Sequence, residues 1–179
     1  MRRYWAAAIL AAMAAATPAA AADLATLGCV RDKMTAPVRP EIVASAQALA
    51  DGKTAAASQA LRDGMLATAQ ACATQYQWSN AARDAAQTHA LVSVSLDTVR
   101  PLAKDRKVNL DVFASAIAAL TPTERTQILK QEQAGTDALL ARLASKGLVV
   151  QGSGQGSLIG VLAVLTLFQE SQQAAFIAS

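Results

Sequence analysis

The chain predicts an all-α protein: a single helical bundle of five to seven helices, preceded by a cleaved signal peptide. Three observations carry this. Apolar residues make up 53% of the 179 residues, and many of them are alanine, the best helix former. No stretch sustains the alternation of β-branched and polar residues that marks a strand. Apolar positions instead recur at spacings of three and four along most of the chain. The length suits one domain, and the apolar fraction is too high for a disordered chain.

The first 22 residues read as an export signal. Arg2 and Arg3 form a basic n-region, Trp5 to Ala16 an uncharged apolar run, and Thr17-Pro18 a break before the small residues Ala19 to Ala22. That run is shorter than the ~20 residues needed to span a bilayer core. Cleavage near Ala22 leaves 14 basic against 13 acidic residues, a net charge of +1. A nearly neutral domain, residues 23–179, has no electrostatic basis for binding nucleic acid. The expected location is the periplasm or the extracellular space.

Export brings the two cysteines of the domain, Cys29 and Cys72, into an oxidising compartment, where they form the one intramolecular disulfide available. Lipidation of Cys29 is disfavoured. Thr26 stands where a lipobox wants an aliphatic residue, and charged Asp23 separates the apolar run from the cysteine.

Seven helical segments follow. Leu24 to Met34 forms a short first helix, ended by the Pro37 and Pro40 region. Pro40 suits the first turn of the next, which stops at Asp51-Gly52. Thr54 to Trp78 is a long helix with Leu61, Met65, Ala69, Cys72 and Tyr76 on one stripe, so Cys72 faces the interior. Ala81 to Lys104 carries the stripe Ala82, Ala85, His89, Val92, Leu96 and Val99, with Pro101 placed to end or bend it. Asn109 caps Leu110 to Leu120. Thr121-Pro122-Thr123-Glu124 is a capping box that opens a helix running to Lys146, with Gly147 as its stop. Residues 147–157 read as a Gly/Ser-rich linker before a C-terminal apolar helix, 158–177.

Few residues point to chemistry. The 11-residue run Leu158 to Phe168 is too short for a membrane and reads as a central core helix, or as a docking segment released by the glycines. Leu158, Leu162 and Phe168 are therefore candidate ligand or partner contacts. The Gly152, Gly156, Gly160 spacing allows close helix contact. The glycine loop lacks the Lys-Ser/Thr pair of a P-loop, so no phosphate site and no cofactor are expected. His89 is the sole histidine and has no carboxylate at i±3 or i±4, which argues against a metal site or a triad. Arg100, Lys104, Arg106 and Lys107 form a basic cluster suited to a helix C-terminus or to an acidic partner. Tyr76 and Trp78 bring together two of the five aromatics in the domain, as a core cap or an exposed anchor.

Leu120-Thr121-Pro122-Thr123-Glu124-Arg125 resembles the L-T-P-x-x-R helix openings of the periplasmic Spy/CpxP-type helical chaperones. The likeness runs from Leu120 to Ile128. Glu124 stands where that family has a characteristic Gln, and no second copy occurs. It implies an exposed apolar concave face.

The leading expectation is a non-catalytic, exported interaction protein that binds an unknown protein partner through a helical groove or a mobile C-terminal helix. The alternatives are a carrier of small apolar ligands with a pocket beneath Leu158 to Phe168, a chaperone, and an enzyme built on dispersed carboxylates.

Overall fold

Side-chain caps set where four of the described α-helices begin. The computed structural model describes residues 22–179, so the expected signal peptide, Ala22 apart, lies outside the described residues. The Asp23 carboxylate accepts from the Ala25 N–H (2.9 Å) and opens a 3₁₀ turn, Leu24–Thr26. Eight α-helices follow among the described residues, with no strand: α1 (Cys29–Asp32), α2 (Val38–Ala50), α3 (Gln59–Tyr76), α4 (Asn80–Asp105), α5 (Leu110–Ala118), α6 (Pro122–Leu129), α7 (Gln133–Ser145) and α8 (Gly152–Ile177). Ser58 caps α3 and Ser79 caps α4, each hydroxyl accepting at 3.0 Å from the third residue on. Asn109 caps α5 through two backbone N–H groups, and Thr121 with Glu124 completes the expected capping box of α6.

Several boundaries differ from the expectation, each for a local reason. The first segment divides into the 3₁₀ turn and the single turn α1. Residues 53–58 are not helical, because Glu41 accepts from both the backbone and the hydroxyl of Ser58 and delays α3 to Gln59. Pro101 does not end α4. It sits exposed, and the helix runs four residues past it on its buried side, where Ala103 packs.

The helix expected over 121–146 is two helices. Gln131 adopts a left-handed conformation (φ 58°), and the Glu132 N–H closes the turn on the Gln127 carbonyl at 2.8 Å. The break lets α7 fold back over α6, so that Ile128, Leu139 and Leu143 share one core. Gly135 makes the close crossing: a Cβ there would lie 2.6 Å from the Ile128 backbone nitrogen.

The expected linker 147–157 shrinks to 147–151. Gly152, at φ 74°, starts α8, and Gly154 and Gly156 lie inside the helix. What holds this glycine-rich turn helical is the end of α4. Arg106 donates to the carbonyls of Ala50 (3.0 Å) and Gly154 (3.1 Å) and pairs with Asp51, while Gln155 donates to the Arg106 carbonyl at 3.1 Å.

The bundle has two cores strung along α4 and α8, each 26 residues long. One core holds Val92, Leu96 and Val99 of α4 with Leu158, Ile159 and Leu162 of α8. The other holds Ala82, Ala86 and Ala90 of α4 with Phe176 near the C-terminus of α8. The start of α4 therefore lies beside the end of α8, and the pair is antiparallel. Alanines along α4 let other helices approach closely, while the bulk comes from α8.

The Cys29–Cys72 disulfide is present and ties α1 to α3 over the second core, with Cys72 fully buried. No described helix is long and apolar enough to cross a membrane.

Candidate functional site

One side of Leu158 to Phe168 is core. Leu158, Leu162 and Leu167 are 0%, 1% and 3% exposed. Leu158 and Leu162 are thus internal packing residues and offer no contact surface, which corrects their candidacy; Phe168 is half-buried against the same core. A helix apolar all round still has an outer side, and here Gly160, Val161, Val164 and Leu165 are only half-buried.

That outer side forms one wall of a groove of about 550 Å³. Thr136, Leu139 and Leu140 of α7 face it. Ile128 and Gln131 contribute at the α6–α7 turn, and Leu49 and Val150 stand near the start of α8. The volume falls within the ~300–1,000 Å³ usual for small-molecule sites. Two features keep it open. Gly160 has no neighbour within 4 Å of where a Cβ would stand, and Val150 is the nearest group to a Cβ at Gly156, at 3.8 Å. Among the described residues, then, no helix packs close against Gly160. The spacing of small residues leaves space instead.

The chemistry of the wall is uniform. Among the described residues its polar side chains are Gln131, Thr136 and Ser157, all neutral, and no Asp, Glu, Lys, Arg or His lines it. Leu49, 42% exposed, leaves apolar surface at the rim.

The other candidate residues lie away from the groove. Tyr76 stacks on Trp78 with ring centroids 5.7 Å apart, and the Trp78 edge meets Phe176 at 5.1 Å. The Trp78 indole N–H donates to the Thr26 hydroxyl at 3.1 Å. These aromatics close one end of the bundle, and Tyr76 keeps an exposed face. Arg100, Lys104 and Lys107 are exposed, but Arg106 is turned in to hold the α2, α4 and α8 ends together, so the four do not act as one surface. A second recess, of about 870 Å³, surrounds that clamp between Asp51, Lys107, Asn109, Lys146 and Gln155.

No protein-family model, curated protein or solved structure matches this chain.

His89 belongs to a polar seam between α4 and α8. Gln169 donates to the Ser93 hydroxyl at 3.1 Å, and that hydroxyl lies 3.5 Å from His89 Nδ1. Burial pushes the His89 pKa below its ordinary value, and the nearby Arg31 guanidinium adds to this. Both carboxylates close to it in sequence are engaged with arginines, Asp84 with Arg83 (2.7 Å) and Asp97 with Arg31 (2.9 Å). Among the described residues, no three His, Cys, Asp or Glu side chains converge to hold a metal. The strongest electrostatic perturbation lies at Glu124. Two oxygens take up Arg142 at 2.6 and 2.7 Å, and the Thr121 N–H binds at 2.7 Å, holding its carboxyl at about 2. This network locks α6 to α7 beneath the groove.

Only the α8 wall of this groove was legible as a pocket wall in the sequence. Leu49, Gln131, Thr136 and Val150 come from segments that are distant along the chain, and no periodicity links them. The one local sign was the pair Gly156 and Gly160 in front of an otherwise bulky apolar helix.

Proposed function

We propose that this chain is an exported, non-catalytic binding protein whose groove along α8 takes small apolar ligands. The observation that carries the reading is the groove itself: about 550 Å³, walled by aliphatic side chains and opened by Gly160. A wall without titratable groups offers no general acid or base, which favours holding a ligand over transforming it. Export is supported by Arg2 and Arg3, the apolar run after them, and a Cys29–Cys72 pair placed to form a disulfide.

Titration with N-phenyl-1-naphthylamine, an uncharged dye that fluoresces in apolar surroundings, tests this. The wild-type protein is expected to bind it saturably, one dye per chain. Gly160→Phe fills the groove from a position where a Cβ meets nothing within 4 Å, so it should keep the melting transition and lose at least about tenfold in dye affinity. Absent saturable binding in the wild type, or equal binding in a folded Gly160→Phe, the groove is not a ligand site.

A further inference from the structure

We infer that the groove selects uncharged amphiphiles of roughly ten to twenty carbons over their ionised counterparts, an inference that rests on the ligand-binding reading above. Size comes first. The wall contributed by α8 runs from Gly156 to Leu165, about 14 Å at ~1.5 Å of rise per residue. Carbon–carbon bonds of about 1.5 Å, set in a zigzag, advance about 1.25 Å each, so an extended chain of about eleven bonds matches that length. The volume of about 550 Å³ holds about 18 methylene-sized groups at ~30 Å³ each, enough for such a chain folded once or for a compact ring system.

Charge decides the class. A carboxylate, phosphate or ammonium group drawn into the groove would meet no counter-charge on its wall, and burying an unpaired ion costs far more than burying a hydroxyl that finds a partner. The polar groups the wall does supply are an amide and two hydroxyls, from Gln131, Thr136 and Ser157. Each can donate to or accept from a neutral alcohol, ester or amide head. The charged side chains beside wall residues in sequence are Lys130 and Glu132, flanking Gln131, and Asp137, next to Thr136; all three are exposed and none lines the groove. The cations in this region, Arg142 and Arg125, are charge-paired with Glu124 and Glu170, and none of the four lines the groove. The groove is thus built to accept aliphatic bulk with a neutral head.

Displacement of bound N-phenyl-1-naphthylamine by three twelve-carbon compounds tests the inference at pH 8, the two ions below their micelle-forming concentrations and the alcohol below its solubility limit. These are dodecan-1-ol, dodecanoate and dodecyltrimethylammonium. Dodecan-1-ol is expected to displace half the dye at a concentration at least about tenfold below that required of either ion. If either ion competes within tenfold of the alcohol, or better than it, the selectivity is overturned while ligand binding stands. If the dye itself fails to bind the wild-type protein, the underlying reading falls and this inference with it.

Discussion

Leu162→Ala removes side-chain carbons from the best-enclosed part of α8. Leu162 is 1% exposed and belongs to the core it shares with Val92, Leu96 and Val99 of α4. Truncating a leucine in such a site costs about 2–5 kcal/mol, the higher values where the surroundings cannot close the gap. Two features place this site in the middle of that range. α8 is held at its start by the Arg106 clamp and at its end by Phe176 under Trp78, which resists collapse. The open groove on the other side of the helix permits some. We therefore expect a loss of about 3 kcal/mol, a fall in melting temperature of about 6–12 °C at ~2–4 °C per kcal/mol for a chain of this size. Urea denaturation followed by circular dichroism reads it, with Val149→Ala at a 68% exposed position as the control, expected to change by less than about 0.5 kcal/mol. Because Leu162 does not line the groove, the folded variant should still bind N-phenyl-1-naphthylamine. A loss under about 1 kcal/mol would refute the two-core architecture in which α8 is a central element.

The disulfide closes a separation of 43 residues, so Cys29→Ala with Cys72→Ala should cost about 4 kcal/mol on the chain-entropy estimate, and thiol titration of the denatured, unreduced wild type should find no free sulfhydryl. Glu124, held at about 2 against an ordinary 4.5, contributes stability that is present above pH 4.5 and is lost as the pH falls toward 2. Melting temperature followed across that window should drop steeply in the wild type and more shallowly in Glu124→Gln; equal slopes would disprove the contribution. Two glycine substitutions should move stability in opposite directions. Gly135→Ala drives a Cβ to 2.6 Å from the Ile128 nitrogen and should destabilise by more than about 1 kcal/mol, whereas Gly160→Ala, in open space, should stabilise by about 0.5–1 kcal/mol. A stable Gly135→Ala would mean that the α6–α7 crossing is looser than this.

The helical class, the caps at Asn109 and Thr121, and the partnership of Cys29 with Cys72 were all readable from local chemistry. A capping residue acts within four positions of itself, and two cysteines admit one pairing. The same locality explains the misplaced boundaries. Nothing near Gln131 announces a left-handed turn, because what favours it is the burial of Ile128 and Leu139 together once α7 folds back. Gly152 to Gly156 has the composition of a flexible linker and becomes helix because Arg106, some 48 residues earlier, binds the Gly154 carbonyl.

The amino-acid pattern alone points to an α-helical bundle with a stripe of apolar residues on its long helices, since propensity, capping and periodicity are properties of neighbours along the chain. Which apolar residues of α8 become core and which become the wall of a groove is settled only by packing. Leu158 and Leu162 pack with α4, while Gly160, Val161 and Val164 line the groove opposite Thr136 and Leu140 of α7. A helix apolar on every side carries no mark of which side its neighbours will cover. That depends on where α6, α7 and the end of α2 come to rest, and so on contacts between residues far apart in the chain.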